Sequence, residues 1–133
     1  FELWGSPAFD VEAVRKIEVP GAHLRQVGFT PTFQKHAGKS CRGVQVHVTN
    51  RAQFRSYQAY LRWIAAGLPH PEVEYPWRTE SYEYDRRPAV DMLTGGPEYR
   101  QLVNEGADLT DYLAADRKGA ARFVEVRRPY LIY

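Results

Sequence analysis

The clearest hydrophobic pattern in the chain is the alternation VQVHV at residues 44–48. Successive side chains of a strand point to opposite faces, so Val44, Val46 and Val48 share one face while Gln45 and His47 share the other. We therefore predict a strand whose valine face packs on a core. The face that carries Gln45 and His47 is expected to meet something polar.

A helical pattern follows this strand. Asn50, with Gln53 three residues later, has the spacing of a capping box. Gly67 and Pro69 predict the end of the helix. Between these signals the apolar residues recur at helical spacing, at Phe54, Tyr57, Leu61, Ile64 and Ala65. The centre of the fold is thus predicted to be a strand followed by a helix of about four turns.

Weaker signals precede this pair. The opening FELWGSP predicts the end of a strand that runs into a turn. Asp10 predicts the N-cap of a short helix that reaches from Val11 to about Glu18. The segment AHLRQVGF, residues 22–29, predicts a second strand, and the Pro- and Gly-containing residues 29–42 predict a loop.

The C-terminal half predicts helices and an apolar tail that packs on the body. The helices are expected at 88–93, at 98–105 with Tyr99, Leu102 and Val103 inward, from Asp108 onward, and at 118–127. Together the elements predict the α+β class, with residues 1–133 forming a single domain in which a small sheet packs against several helices.

Composition narrows the classes of function. The chain has 133 residues, about one ordinary domain, and its net charge of +2 is too balanced to indicate nucleic-acid binding. One cysteine excludes an internal disulfide, and no Cys/His spacing is typical of a zinc site. No run approaches the roughly 20 apolar residues of a membrane span. Nothing in the sequence indicates a cofactor.

Two catalytic interpretations can be stated. Carboxylates crowd residues 72–85, and two of them could run glycoside hydrolysis if held about 5–10 Å apart. The same alternation of Glu with aromatic residues is typical of a solvated edge, which is the better interpretation. Cys41 could act as a nucleophile with His36 or His47 as its base. A small cysteine just before a strand is more often structural.

Sugar binding is the more natural use of these residues. Carbohydrate sites combine aromatic faces with amides and charged groups, and aromatic residues make up 14% of the chain. The residues that together would suit an acidic or acetylated sugar are Trp4, Phe29, Phe33, Lys35, Gln45 and His47. For each aromatic alone, a place in the core is the better interpretation.

Four motifs carry a resemblance to a known family. They are FELWGSP, FTPTFQKHAGKSCRGVQVHVTNRAQF, YEYDRRPAVDMLTGG and the closing RPYLIY. Along nearly its whole length the chain resembles the C-terminal domain of the bacterial family that includes the NamZ-type exo-β-N-acetylmuramidases. One departure is Ala8, at a position where family members often carry a large aromatic. A stacking role there is expected to have moved to Phe9 or Trp4.

The resemblance implies a role in peptidoglycan degradation. Enzymes of this family remove terminal N-acetylmuramic acid from non-reducing ends, in a cleft between an N-terminal Rossmann-like domain and a smaller C-terminal domain. The catalytic glutamate belongs to the N-terminal domain. The resemblance therefore implies that this chain is an auxiliary domain, inactive alone, with that Rossmann-like domain and a muramyl saccharide as partners. It also implies a secreted or periplasmic location.

The resulting site hypothesis contains no catalytic residue and no metal ligand. We expect Phe29 to Gly43 to line one wall of the cleft, and Gln45 and His47 to face it from the adjoining strand. The residues expected to contact substrate are Trp4, Phe29, Thr30, Thr32, Lys35, Arg42, Gln45 and His47. Thr30, Thr32 and Lys35 would meet the sugar or its lactyl carboxylate, with Arg42 as a second cation.

The alternative is an interface module that packs on its N-terminal partner without touching a ligand. An exposed apolar patch made of Trp4, Phe29 and Phe33 would favour this alternative. A polar, concave surface around Gln45 and His47 would favour contact with sugar.

Overall fold

A computed structural model of the chain describes residues 2–68, 77–78 and 87–132. The chain divides into two units, Phe1–Tyr75 and Pro76–Tyr133. The first unit contains strand β1 (Leu3–Ser6), helix α1 (Val11–Arg15), strands β2 (Ala22–Phe29) and β3 (Cys41–Val48), and helix α2 (Ser56–Gly67). The second contains helices α3 (Ala89–Thr94), α4 (Glu98–Asn104) and α5 (Thr110–Arg127), followed by a 3₁₀ turn, Arg128–Tyr130. The α+β class is confirmed, whereas a single domain over 1–133 stays a prediction.

The three strands form an antiparallel sheet in the order β1-β3-β2. Its core face carries Val44 and Val46 of the central strand, which are fully or almost fully buried. They pack in one cluster with Phe9, which precedes α1, and with the side chains of α1 and α2, namely Val11, Val14, Ala59 and Trp63. The predicted inward face of β3 is therefore confirmed at two of its three valines. Val48 is 44% exposed, because it closes the strand beyond the core cluster, so its predicted burial is wrong.

A pair of glycines joins the edge strand β1 to the central strand. Gly5 lies directly opposite Gly43. A Cβ added at Gly43 would overlap the carbonyl oxygen of Trp4 and lie 2.9 Å from the Cα of Gly5. The two backbones approach so closely that only glycine fits between them.

Helix α2 begins later than the capping pattern predicts. Asn50 Oδ1 accepts hydrogen bonds from the backbone N–H groups of Ala52, at 3.0 Å, and Gln53, at 3.3 Å. The asparagine therefore closes a separate turn, and the helix starts at Ser56. The predicted inward stripe shifts as a result, because Trp63 is fully buried while Tyr57 is 43% exposed.

In the second unit, α3 and α4 are joined by a buried ion pair. The Arg100 Nε donates to Asp91 Oδ1 at 2.7 Å, and its Nη2 donates to Oδ2 at 2.8 Å. Asp91 is only 6% exposed. Gly95 ends α3 in the left-handed conformation, with φ of 85°. Tyr99 and Val103 of α4 are buried as predicted.

Two predictions fail at the C-terminus. The helices expected from Asp108 and at 118–127 are one helix, α5, because Gly119 costs only about 1 kcal/mol inside a helix rich in Ala and Arg. The apolar tail is not buried as predicted, since Tyr130 is 81% exposed and Ile132 is 92% exposed. Within the described residues, no helix has both the length and the apolarity needed to cross a bilayer.

Candidate functional site

The side of the sheet opposite the core carries a row of polar side chains. Directly opposite residues in antiparallel strands share a face, and the register sets His23 against His47 and Arg25 against Gln45. Strand alternation then places further residues on this side. We call this surface the outer sheet face; it comprises Leu3, His23, Arg25, Val27, Phe29, Cys41, Gln45 and His47.

The centre of this face is a hydrogen-bonded pair. Arg25 Nη2 donates to Gln45 Oε1 at 2.6 Å. Arg25 is exposed and Gln45 is half-buried. With the Gln45 oxygen accepting from Arg25, its amide nitrogen and the remaining guanidinium N–H groups form a set of donors. Such donors suit hydroxyl, acetamido and carboxylate oxygens.

His47 also lines a groove at the end of β3. The groove has a volume of about 470 Å³, in the range of small-molecule sites. Glu2 and Arg51 supply opposite charges to its lining, and Phe54 and Ser56 supply an aromatic ring and a hydroxyl. Val46 and Val48, from the core face of β3, complete the lining. The groove therefore takes in side chains from both faces of β3 at the end of the strand, and it combines charged, polar, aromatic and aliphatic groups.

Sequence reasoning missed Glu2, Arg51 and Ser56. They come from three separate segments, and the groove forms only when β1, β3 and the start of α2 meet. The one usable signal was Arg51, which follows the strand containing His47 within the motif that carries the family resemblance.

The loop between β2 and β3, residues 30–40, has a defined shape. The Gly38 N–H donates to the Pro31 oxygen at 2.9 Å, and the Lys39 N–H donates to the His36 oxygen at 2.9 Å. Gln34 and His36 both adopt positive φ, 59° and 60°. Left-handed backbone is unfavourable for non-glycine residues and often occurs where a loop is shaped for binding. Thr30, Thr32 and Lys35 are exposed on this loop.

The predicted site residues fall into three groups. Phe29, Gln45 and His47 lie on the outer sheet face, with Phe29 opposite Cys41 at one end and His47 at the other. Thr30, Thr32 and Lys35 follow Phe29 on the loop. Trp4 and Arg42 lie on the core side of the sheet, because their strand positions share the parity of Val44. The Trp4 ring packs against Phe9, with centroids 4.6 Å apart. The structure therefore separates Trp4 and Arg42 from Gln45 and His47.

The two ends of the outer sheet face are far apart. His47 lies six positions beyond Cys41, which at about 3.3 Å per residue corresponds to roughly 20 Å along β3. The loop 30–40 joins the sheet at the Cys41 end, and the groove lies at the His47 end. The outer sheet face is thus longer than one sugar ring.

The environment of Cys41 favours its structural interpretation. The residue is 1% exposed, and its Sγ donates to the Lys39 oxygen at 3.6 Å. A nucleophilic thiol needs access to its substrate. The acidic candidates Glu72, Glu74, Glu80, Glu83 and Asp85 lie outside the described residues.

Two pKa shifts have clear physical causes. Burial, together with the carboxylate of Glu2, raises the pKa of the Tyr60 phenol, so Tyr60 stays neutral. The hydrogen bond to Asp91 raises the pKa of Arg100.

In the described part of the chain, no three His, Cys, Asp or Glu residues are grouped so as to hold a metal ion.

Comparisons with known proteins find a family whose model matches the whole chain. Residues 1–133 match the family model described as the C-terminal part of the exo-β-N-acetylmuramidase NamZ. The chain is 30% identical over 137 residues to the peptidoglycan β-N-acetylmuramidase NamZ of Bacillus subtilis (strain 168), covering 100% of this chain and 31% of that protein.

A solved structure shares the fold. It is the crystal structure of a DUF1343 family protein from Bacteroides fragilis, with a TM-score of 0.68 and 15% identity. The match covers 99% of this chain and 35% of that one. The chain thus spans about a third of the length of each of these two relatives.

Proposed function

The chain belongs to the family of C-terminal domains of NamZ-type exo-β-N-acetylmuramidases, and from this premise we propose that it lines the substrate cleft of a peptidoglycan glycoside hydrolase. In this proposal the outer sheet face and the loop 30–40 help to bind a terminal N-acetylmuramic acid. The parent protein would act in the turnover of cell-wall peptidoglycan.

The observation that carries the proposal is the polar surface around Gln45 and His47. Gln45 is fixed by Arg25 at 2.6 Å, and His47 lines a groove of about 470 Å³. These groups match the chemistry of the ligand. N-Acetylmuramic acid carries a lactyl carboxylate, an acetamido group and hydroxyls, which accept hydrogen bonds from guanidinium and amide donors.

The contacts can be divided between the two ends of the surface. At the groove, Arg51 is the cation for a carboxylate, and Phe54 offers a ring to the apolar side of a pyranose. At the loop, Lys35 is the cation and Thr30 and Thr32 offer hydroxyls. Because roughly 20 Å separates the two ends along β3, one end would hold the terminal sugar and the other a neighbouring ring or peptide.

Hydrolysis itself would belong to a different part of the parent protein. The family resemblance implies a catalytic glutamate in an N-terminal Rossmann-like domain. The present chain covers 31% of its Bacillus subtilis relative, which leaves room for such a domain. The chain alone is therefore expected to bind muramyl sugars without cleaving them.

The alternative, an interface module without ligand contact, has weaker support on this surface. An exposed apolar patch that unites Trp4, Phe29 and Phe33 would favour it. Phe33 is 71% exposed, but Trp4 lies on the core side of the sheet while Phe29 lies on the outer sheet face. The three aromatics therefore cannot form one patch.

Kinetics of the complete parent enzyme test the proposal. Lys35→Ala removes the cation proposed at the loop, and Arg51→Ala removes the cation proposed at the groove. Loss of a charge-assisted hydrogen bond costs about 1.5 kcal/mol, so the end that holds the muramic carboxylate should show KM raised about tenfold. The measurement is the initial rate of release of N-acetylmuramic acid as a function of substrate concentration.

Lys16→Ala is the matched control, because Lys16 is an exposed cation that follows α1. Its KM should equal that of the unmodified enzyme. If neither Lys35→Ala nor Arg51→Ala differs from this control, the proposed contact with sugar is wrong and the interface alternative gains support.

A further inference from the structure

Helix α5 has a buried beginning and an exposed end. Leu109, just before the helix, and Leu113, in its first turn, are buried. From residue 117 to residue 132 every position is exposed. We call this stretch, residues 117–132, the distal segment.

The distal segment is unusually apolar for an exposed surface. The large hydrophobic residues exposed along it are Phe123, Val124, Val126, Tyr130, Leu131 and Ile132. Phe123 is 61% exposed, Tyr130 81% and Ile132 92%. Scattered exposed hydrophobic residues are ordinary, but six within ten positions make this stretch a candidate interaction surface.

Within the described residues, packing does not explain why the distal part of α5 is helical. Between Leu113 and Arg127, α5 runs for about 21 Å at 1.5 Å per residue. Within the described residues, no buried contact stabilises its last ten positions. Isolated helices of this length are marginal in water unless an apolar face is packed. A partner that covers Phe123 and Val126 would supply that packing.

The charge of the distal segment indicates which kind of partner surface would fit it. Between residues 117 and 128 the distal segment carries Arg117, Lys118, Arg122, Arg127 and Arg128 against the single acid Glu125. A complementary surface would be an apolar groove with an acidic rim.

We propose that the distal segment docks on the domain that makes up the rest of the parent polypeptide. This inference rests on the proposed function, in which a catalytic domain lies outside this chain. The share of the Bacillus subtilis relative that this chain covers, 31%, leaves most of that protein's length for such a partner. Ligand contact and interdomain docking would thus use two different surfaces, the outer sheet face and the distal segment.

Hydrogen exchange tests the docking. The amides of residues 117–132 should exchange rapidly in the isolated 133-residue chain. In the complete parent protein they should exchange about 100-fold more slowly, because packing stabilises a helix against local opening. Equal exchange in the two proteins would overturn the inference.

A pair of variants locates the contact. Phe123→Asp in the complete protein should abolish the slow exchange of residues 117–132. Leu93→Asp is the matched control, since Leu93 is 75% exposed on α3, and it should leave the slow exchange intact. The circular dichroism of both isolated variants should equal that of the unmodified chain. Persistence of slow exchange in Phe123→Asp would remove Phe123 from the interface.

Muramidase activity, measured on the same samples, separates the two proposals. An active parent protein with a rapidly exchanging distal segment would overturn the docking and leave the proposed function standing. A parent protein whose distal segment is protected but which has no muramidase activity would overturn the proposed function and leave the docking standing. Protection that appears in the isolated chain only as its concentration rises would identify a second copy as the occupant and would also overturn the inference.

Discussion

Replacing Gly43 with alanine should lower the free energy of unfolding by about 3 kcal/mol. The added Cβ would overlap the Trp4 carbonyl oxygen and lie 2.9 Å from the Cα of Gly5. Both are backbone atoms, so no side chain can rotate to make room. The edge strand β1 would have to move away from β3, which would also pull Trp4 from its contact with Phe9.

Urea unfolding followed by circular dichroism measures this loss, and Gly28→Ala is the matched control. Gly28 lies on β2, where an added Cβ meets its nearest atom at 3.9 Å, an ordinary contact. Its substitution should change the free energy of unfolding by less than about 1 kcal/mol. A Gly43→Ala protein as stable as the Gly28→Ala protein would show that β1 does not depend on close contact with β3.

Replacing Asp91 with alanine should have a comparable effect, again about 3 kcal/mol. The carboxylate is 6% exposed and accepts two hydrogen bonds from Arg100. Its removal leaves a guanidinium without its partner. The Arg100 side chain is 26% exposed, so water can solvate the guanidinium once its partner is gone. The loss of stability is therefore expected at the lower end of the range for broken buried ion pairs.

Glu125→Ala provides the control for Asp91→Ala. Glu125 pairs with Arg128 at 3.1 Å, but both side chains are more than half exposed. Surface pairs of this kind contribute less than about 1 kcal/mol. The two variants should therefore differ clearly in urea midpoint. If they unfold at the same urea concentration, the Asp91 pair is not a structural link between α3 and α4.

The sequence predicted the sheet better than the helices. The predicted bounds of β2 match the structure, and the inward direction of Val44 and Val46 follows from alternation, which is a local property of a strand. The start of α2 could not be predicted in the same way. Asn50 has the residue type and the spacing of a helix cap, but its side chain closes a turn six residues before the helix begins.

In the candidate site, the alternation along β3 was applied to Gln45 and His47 but not to Arg42. Arg42 lies three residues before Gln45, so period two already places the two on opposite faces of β3. The same rule sets Trp4, opposite Val44, on the core side. By contrast, no local rule could bring Glu2 and Ser56 to the groove of His47, because that contact depends on how distant segments pack.

Titration of the isolated chain with N-acetylmuramic acid, followed by amide chemical shifts, tests the central claim most directly. Two-dimensional ¹⁵N–¹H spectra report each backbone amide separately. We predict shifts along the outer sheet face, at Arg25, Gln45 and His47 or at Lys35 on the loop, and weaker ones with N-acetylglucosamine, which lacks the lactyl carboxylate. Shifts confined to α5, or none on the outer sheet face and its loop, would contradict the account.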